Sequence, residues 1–505
     1  MAQPDTVPTG PDLAQGVPLA SVPDTGVLAG HVDGAPVLLA RRGGDLFAVS
    51  GSCTHYGGPL AEGLVVGDEV HCPWHHACFS LRTGIALKAP AFAALATWQV
   101  EIVGDRAFVR AQSAPSDSVA APAPTREYPG RIVIVGGGAA AFAAAQRLRQ
   151  LGFAGTLTML SADSAPPCDR PNLSKDYLAG TAPEEWIPLQ GPEFYSEQRI
   201  DLRLACEVTG LDTGLRQVTI RSGEPIGYDA LLLATGAEPV RLPVPGFDLP
   251  NVYLLRSLGD ARAIIAAVGH ATSVALIGAG FIGLEAAAAL RSRGLEVHVV
   301  AMEDVPMARV LGHELGHFLT ELHATNGVVF HLQTTATGFD GKTLSLSDRS
   351  RIRADVLIVG AGVRPCTALA AAAGLAVEDG ILVDAQLQTS LPGIFAAGDV
   401  ARYRHGADLV RVEHWVHAQR QGQAAAANLL GAAQPFTDVP FFWTHHYGLD
   451  LRYVGHGNGW DEVSLDGSPA AHDCTARYFR AGQLVAAASL GRDLENLAIE
   501  AQLQP

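Results

Sequence analysis

The sequence predicts an α/β protein with two Rossmann-like dinucleotide-binding domains, preceded by a β-rich domain and followed by a smaller α+β domain. Three observations carry this expectation. The segments RIVIVGGGAAAFAAAQRLR (131–149) and SVALIGAGFIGLEAAAALR (273–291) each place an apolar strand before a Gly-rich turn and an Ala-rich helix. Each repeat has a later partner of matching type, DALLLATGAEP (229–239) and DVLIVGAGVRP (355–365). The first hundred or so residues instead read as short β segments between Gly-rich turns, among them Ala35–Ala40, Leu46–Val49 and Ala107–Val109.

Composition bounds the function. The chain has 505 residues, which at ~150 residues per domain suggests about three or four domains. With 51 acidic and 35 basic residues the formal charge is −16, which repels polyanions and argues against nucleic acid and anionic membranes as partners. Seven cysteines are an odd number and too few to staple a chain this long, so a reducing compartment with thiols free to act as ligands is expected. Met1–Pro23 has neither a basic n-region nor an apolar core, so no signal peptide is read and a cytoplasmic location is expected. The stretch Ala263–Leu284 lacks formal charge, but His270, Thr272, Ser273 and several glycines interrupt it. It reads as a buried strand and helix rather than a membrane span.

Boundaries follow from these shifts in composition. The β-rich domain is expected over 17–112. From Ala111 the chain turns rich in Pro, Ala and Ser, giving an extended tether with the linker proper at 113–128. The first dinucleotide domain is placed at 129–250 and 376–432, the second at 251–375 and the last domain at 433–505.

The sharpest local signal is Cys53-Thr54-His55 followed by Cys72-Pro73-Trp74-His75. Two loops each offer one thiolate and one imidazole. This matches a 2Fe-2S centre with Cys53 and Cys72 on one iron and His55 and His75 on the other. A Cys2His2 zinc site uses the same ligand types, but C-x-H is poor zinc-knuckle spacing. CTHYGGPL and CPWHHACF resemble the two cluster loops of a Rieske domain, with Gly57, Gly58 and Pro59 shaping the first. Where respiratory Rieske proteins add a disulfide and a serine donor, this chain has Gly58, Trp74 and Ala77, and His76 replaces the usual glycine after the ligand histidine. Fewer donors to the sulfurs imply a potential toward the low end of the Rieske range of roughly −150 to +300 mV. His76 is expected to be an exposed neighbour, and Cys78 a structural thiol.

In the first fingerprint, Gly136, Gly138 and Ala141 occupy the three small-residue positions, and Ala suffices at the third, where only helix–strand packing matters. A pyrophosphate is expected on the helix N-terminus. Asp163 is the candidate acid for the ribose, with Ser161 as an alternative. The second fingerprint, Gly278, Gly280 and Gly283, is complete. Its following strand ends in Ala301 where NAD-preferring enzymes usually place Glu. Glu303 could reach a 2′-hydroxyl and Arg309 a 2′-phosphate, so NADH and NADPH both stay open, with a slight lean to NADH.

Together with DRPNLSKDYLAG (169–180), Ala234-Thr235-Gly236, TSLPGIFAAGDVA (389–401) and VEHWVHAQRQGQAAA (412–426), these motifs make residues 130–505 resemble flavin reductases of the ferredoxin-reductase type. With the N-terminal cluster, the whole chain is similar to the apoptosis-inducing factor-like Rieske flavoproteins. The resemblance implies that FAD, a 2Fe-2S cluster and NADH or NADPH are bound. It implies that Asp399, after Gly398, holds the FAD ribityl hydroxyls and that Gly362 lines a nucleotide. It also places Arg170 and Lys175 beside the flavin, pairs Glu285 with Lys175, and sets Glu413 and Trp415 along the isoalloxazine and nicotinamide. Lys175, Glu285, Glu413 and Trp415 are the expected catalytic set, and Trp443 a possible cover for the ring.

His313-Glu314-Leu315-Gly316-His317, with His323 beyond, spells a zinc-protease motif. Thr320 stands where that family needs Gly and no Met-turn follows, so two solvated or capping histidines are expected. Cys168 is alone, without the Cys pair of a disulfide reductase. The expected function is therefore hydride transfer from NAD(P)H to FAD, then single-electron transfer to the fused cluster and an unidentified external acceptor. The alternative is a slow-turnover NAD(P)H redox sensor. A homodimer is carried as an alternative to a monomer.

Overall fold

The computed structural model describes residues 10–113 and 129–504. The tether expected at 113–128 therefore lies, apart from Ser113, outside the described residues. The final strand of the first domain, Arg106–Ser113, bulges between Val109 and Gln112 and takes in Ala111–Ser113, so pairing continues further than composition suggested.

The first domain is built from two antiparallel sheets. The six-stranded one comprises Val17–Pro18, Arg106–Ser113, Thr97–Val103, Asp45–Ser50, Ala35–Arg42 and Leu28–Val32, in that spatial order. A four-stranded sheet runs Leu64–Val66, Glu69–His71, Cys78–Ser80 and Ala86–Lys88. Buried Leu38, Val49, Leu60, Val70, Phe79 and Leu81 join the two layers beneath the cysteine loops.

Both fingerprint repeats form parallel five-stranded sheets. The first orders Ile200–Arg203, Thr156–Leu160, Arg131–Val135, Ala230–Leu233 and Ile394–Ala396. The second orders Val252–Tyr253, Val356–Val359, Ser273–Ile277, Glu296–Val300 and Val328–His331. The central strands are buried except at Arg131, which accounts for the apolar runs that follow it and fill Ser273–Ile277. The region between Ala263 and Leu284 divides into the end of helix Leu258–Val268, the strand Ser273–Ile277 and the start of helix Phe281–Ser292. Among the described residues no helix is long and apolar enough to cross a membrane.

Small residues let the first fingerprint helix, Ala139–Gln150, lie against helix Trp415–Leu429. A Cβ on Gly422 would stand 2.2 Å from the Ala140 carbonyl oxygen. The two dinucleotide domains are tied by an antiparallel pair, Ala237–Pro239 with Val363–Pro365. The last domain is a five-stranded antiparallel sheet, Phe441–His446, Leu449–Gly455, Gln483–Leu490, Asp473–Arg480 and Glu462–Ser468, closed by helix Asp493–Leu503.

Candidate redox site

The four residues expected to hold a cluster converge. Cys53 and His55 sit in the turn after strand Asp45–Ser50, where Cys53 N–H donates to Gly58 O at 2.9 Å and Gly57 N–H to Cys53 O at 2.9 Å. Cys72 and His75 sit in the turn closed by Cys72 N–H to Ala77 O, 2.8 Å, and His76 N–H to Cys72 O, 3.1 Å. The two thiols face each other, and the two imidazoles approach with Nδ1 atoms 3.2 Å apart. Burial lowers His55 to about 3 and pushes His75 well below its ordinary value. Both rings are therefore neutral, the form that ligates iron. Two buried thiols facing two neutral imidazoles fit a 2Fe-2S cluster with two sulfur and two nitrogen ligands.

This end of the domain is pressed onto the rest of the chain. Arg452 Nε donates to Trp74 O at 2.9 Å, Arg420 Nη2 to His76 O at 2.8 Å and Arg147 Nη2 to Leu87 O at 2.7 Å. Lys88 pairs with Asp438 at 2.8 Å, and Tyr56 hydroxyl donates to Asp169. His76 corrects the sequence expectation. It is fully buried rather than exposed, stacked on Phe441 with ring centres 3.9 Å apart and hydrogen-bonded to Glu500. Arg420 Nη1 reaches the other Glu500 oxygen at 2.6 Å. Although burial pushes the Glu500 carboxyl up, Arg420 and His76 beside it hold it well below the usual carboxylate range.

A cleft of about 1200 Å³ runs from the first fingerprint to the second. Gly136, Gly138, Asp163, Arg170, Lys175, Ala234, Thr235 and Gly236 line it on the side of the first fingerprint, together with Gly398, Asp399, Glu413 and Trp415. Glu285, Gly280, Gly283 and Gly362 line the other half. Backbone crowding explains the glycines. A Cβ on Gly136 would meet Ala234 O at 2.1 Å, and one on Gly278 would meet Gly360 O at 2.3 Å. Arg170 lies over the first turn, its Nη1 3.6 Å from where a Gly138 Cβ would be. A cation above a glycine turn at a helix start fits a dinucleotide diphosphate. Asp399 is held by Arg256 Nη2 at 2.7 Å, a partner the sequence reading missed.

Four predicted residues sit elsewhere. Ala141 is buried inside its helix and serves packing. Gly278 shapes the second turn without lining the cleft, and Glu303 is exposed and outside the lining, like Arg309.

Lys175 and Glu285 meet in the cleft with Nζ to Oε1 at 2.8 Å, their side chains 11% and 5% exposed. Ser174 Oγ and Thr444 Oγ1 also donate to Glu285, at 2.6 and 2.7 Å. With the Thr444 hydroxyl hydrogen spent on Glu285, His446 must donate through Nε2 to Thr444, 2.9 Å, and accept at Nδ1 from His323, 3.2 Å. His323 is thus a buried support behind Glu285, while His313 and His317 are exposed on their helix. The protease motif therefore splits, with its third histidine turned into the core.

Trp443 links the two halves of the site. It lines the cleft, its ring lies 4.2 Å from that of His75, and Lys175 Nζ is 5.6 Å from its centre. Only tertiary structure brings the second cluster loop to this tryptophan.

Comparison with known proteins bears on each part. The family described as Rieske [2Fe-2S] domain matches residues 17–99, Pyridine nucleotide-disulphide oxidoreductase matches 130–422, and Reductase C-terminal matches 441–503. Apoptosis-inducing factor 3 of Homo sapiens is 33% identical over 90% of this chain and 78% of its own. Rhodocoxin reductase of Rhodococcus erythropolis is 37% identical over 73% of this chain and 88% of its own. Among solved structures, the covalent putidaredoxin reductase–putidaredoxin complex is similar at TM-score 0.72 and 32% identity, over 75% of this chain and 94% of that one.

Proposed function

We propose that this chain, which belongs to the pyridine nucleotide-disulphide oxidoreductase family and carries a Rieske [2Fe-2S] domain ahead of it, passes electrons from NAD(P)H through FAD to its own cluster and on to an external acceptor. The observation that supports this reading is the position of Trp443, against the cluster ligand His75 on one side and the cleft on the other. FAD, when bound, takes a hydride from the nicotinamide and gives up its electrons singly, which reconciles a two-electron donor with a one-electron cluster.

The residues of the chain supply position and charge. Arg170 and the turn at Gly136–Gly138 would hold the FAD diphosphate, and Asp399, oriented by Arg256, would receive the ribityl hydroxyls. The second turn, Gly278–Gly283, brings the nicotinamide into the cleft. Lys175, kept in place by its ion pair with Glu285, would offer its ammonium to the charge that a flavin gains on reduction. Glu413, paired with Arg411, and Trp415 line the cleft and would border the ring. Trp443, packed against His75, would shield the path from the cleft to the cluster loop from water.

An anaerobic titration with NADH and with NADPH, following flavin absorbance and cluster EPR together, tests this. A Rieske signal growing as the flavin bleaches is the expected result, and the more effective nucleotide gives the coenzyme preference. A bleached flavin beside a cluster that stays oxidised overturns the electron chain and leaves the redox-sensor reading.

A further inference from the structure

We propose that Glu69, His71 and Cys78 form a second metal site, separate from the iron cluster, that takes a divalent cation of zinc's kind. The three side chains belong to neighbouring strands of the small sheet. Glu69 and His71 are two residues apart on one strand, so they share a face, and Cys78 pairs directly with His71 on the next. Their donor atoms converge, with Cys78 Sγ 3.0 Å from Glu69 Oε2 and 3.6 Å from His71 Nε2, and that nitrogen 3.5 Å from the same oxygen.

These spacings are close to those of a tetrahedral zinc. Bonds of about 2.3 Å to sulfur and about 2.0–2.1 Å to nitrogen and oxygen set S and N about 3.6 Å apart and N and O about 3.4 Å apart. Two of the three edges already have these lengths. The third, from sulfur to oxygen, has to open by about half an ångström, and Glu69 is free to do so because its side chain is 43% exposed. His71 is 20% exposed, so solvent can fill the fourth position. A thiolate and a carboxylate neutralise the dication, the thiol proton passing to solvent. Lys88, which stands opposite Cys78 on its other side, has its ammonium engaged by Asp438 at 2.8 Å.

The location suggests what the ion does. His71 and Cys78 immediately flank the loop 72–77 that carries Cys72 and His75, so a metal bridging them closes the base of the cluster loop. Cys78 is then a ligand, though not of the cluster.

The test uses the holoprotein, with FAD and cluster in place, equilibrated with Zn²⁺, desalted and analysed for metals. One zinc per chain beyond the full cluster iron is expected, with a single sulfur at about 2.3 Å in zinc X-ray absorption. Glu69→Gln and His71→Gln, both at partly exposed positions, should each weaken zinc at least tenfold while iron content and the Rieske EPR signal stay unchanged. Cys78→Ser should abolish binding, and if that buried variant does not fold, the other two decide. Zinc that fails to bind, that binds equally in these variants, or that enters only as iron is lost overturns the proposal.

Discussion

The docking of the N-terminal domain hinges on Arg420, and Arg420→Met is the perturbation that tests it. Arg420 is 2% exposed and holds three groups, Glu500 Oε1 at 2.6 Å, His76 O at 2.8 Å and Ala89 O at 3.3 Å. Methionine keeps most of the aliphatic bulk but leaves Glu500, itself 9% exposed, with His76 as its remaining partner. Breaking a buried pair by removing one partner costs about 3–5 kcal/mol, because the other charge stays buried. At about 1.4 kcal/mol per factor of ten, the equilibrium between docked and undocked states shifts by roughly 10²- to 10³·⁵-fold. Hydrogen exchange reads this directly at the amides of Cys72 and His76, which close the cluster loop, and stopped-flow reads it as slower cluster reduction after a normal flavin step. Adding Glu500→Gln removes the stranded charge and should restore part of the loss, giving a coupling of about 1–3 kcal/mol in the double-mutant cycle. Unchanged exchange in Arg420→Met, or strictly additive effects of the two substitutions, refutes the reasoning.

Three further outcomes are expected. Gly278→Ala drives a Cβ into the Gly360 carbonyl oxygen, 2.3 Å away, so NAD(P)H reduction should fall by at least tenfold while the bound-flavin spectrum is retained; equal loss of flavin would point to a general folding defect instead. Trp443→Ala should leave the rate of flavin bleaching by NAD(P)H near wild type and slow the appearance of the Rieske EPR signal in rapid-freeze samples, and equal slowing of both steps would show that Trp443 acts only on the flavin site. Backbone and hydroxyl hydrogen bonds from Thr272, followed by those from Ser273, lower Asp355 to about 2. Its folded value is depressed, so its contribution is complete above about pH 4 and is lost as pH falls from there toward about 2. After allowance for solvent screening this amounts to on the order of 1 kcal/mol, and Asp355→Asn should remove it, flattening the acid limb of a denaturation series.

The parts of this protein that can be read from its sequence are those whose physics is local. The proposed ligands Cys53, His55, Cys72 and His75 lie in two short loops, and the fingerprint glycines sit where a strand must turn into a helix with no room for a Cβ. Chain periodicity likewise marks the two parallel sheets, because strands buried on both faces are apolar without interruption. What tertiary structure alone decided are contacts between residues far apart in the chain. His76 looked exposed beside its loop, yet Glu500 meets it from 424 residues away and Phe441 covers it. His323 carried a misleading local motif, and only the strand bearing His446 turns it into a support behind Glu285. Trp443 reaches His75 across domains. No pattern of spacing encodes such meetings, since they depend on how whole domains pack, and here that packing brings the loop of Cys72 and His75 to the cleft.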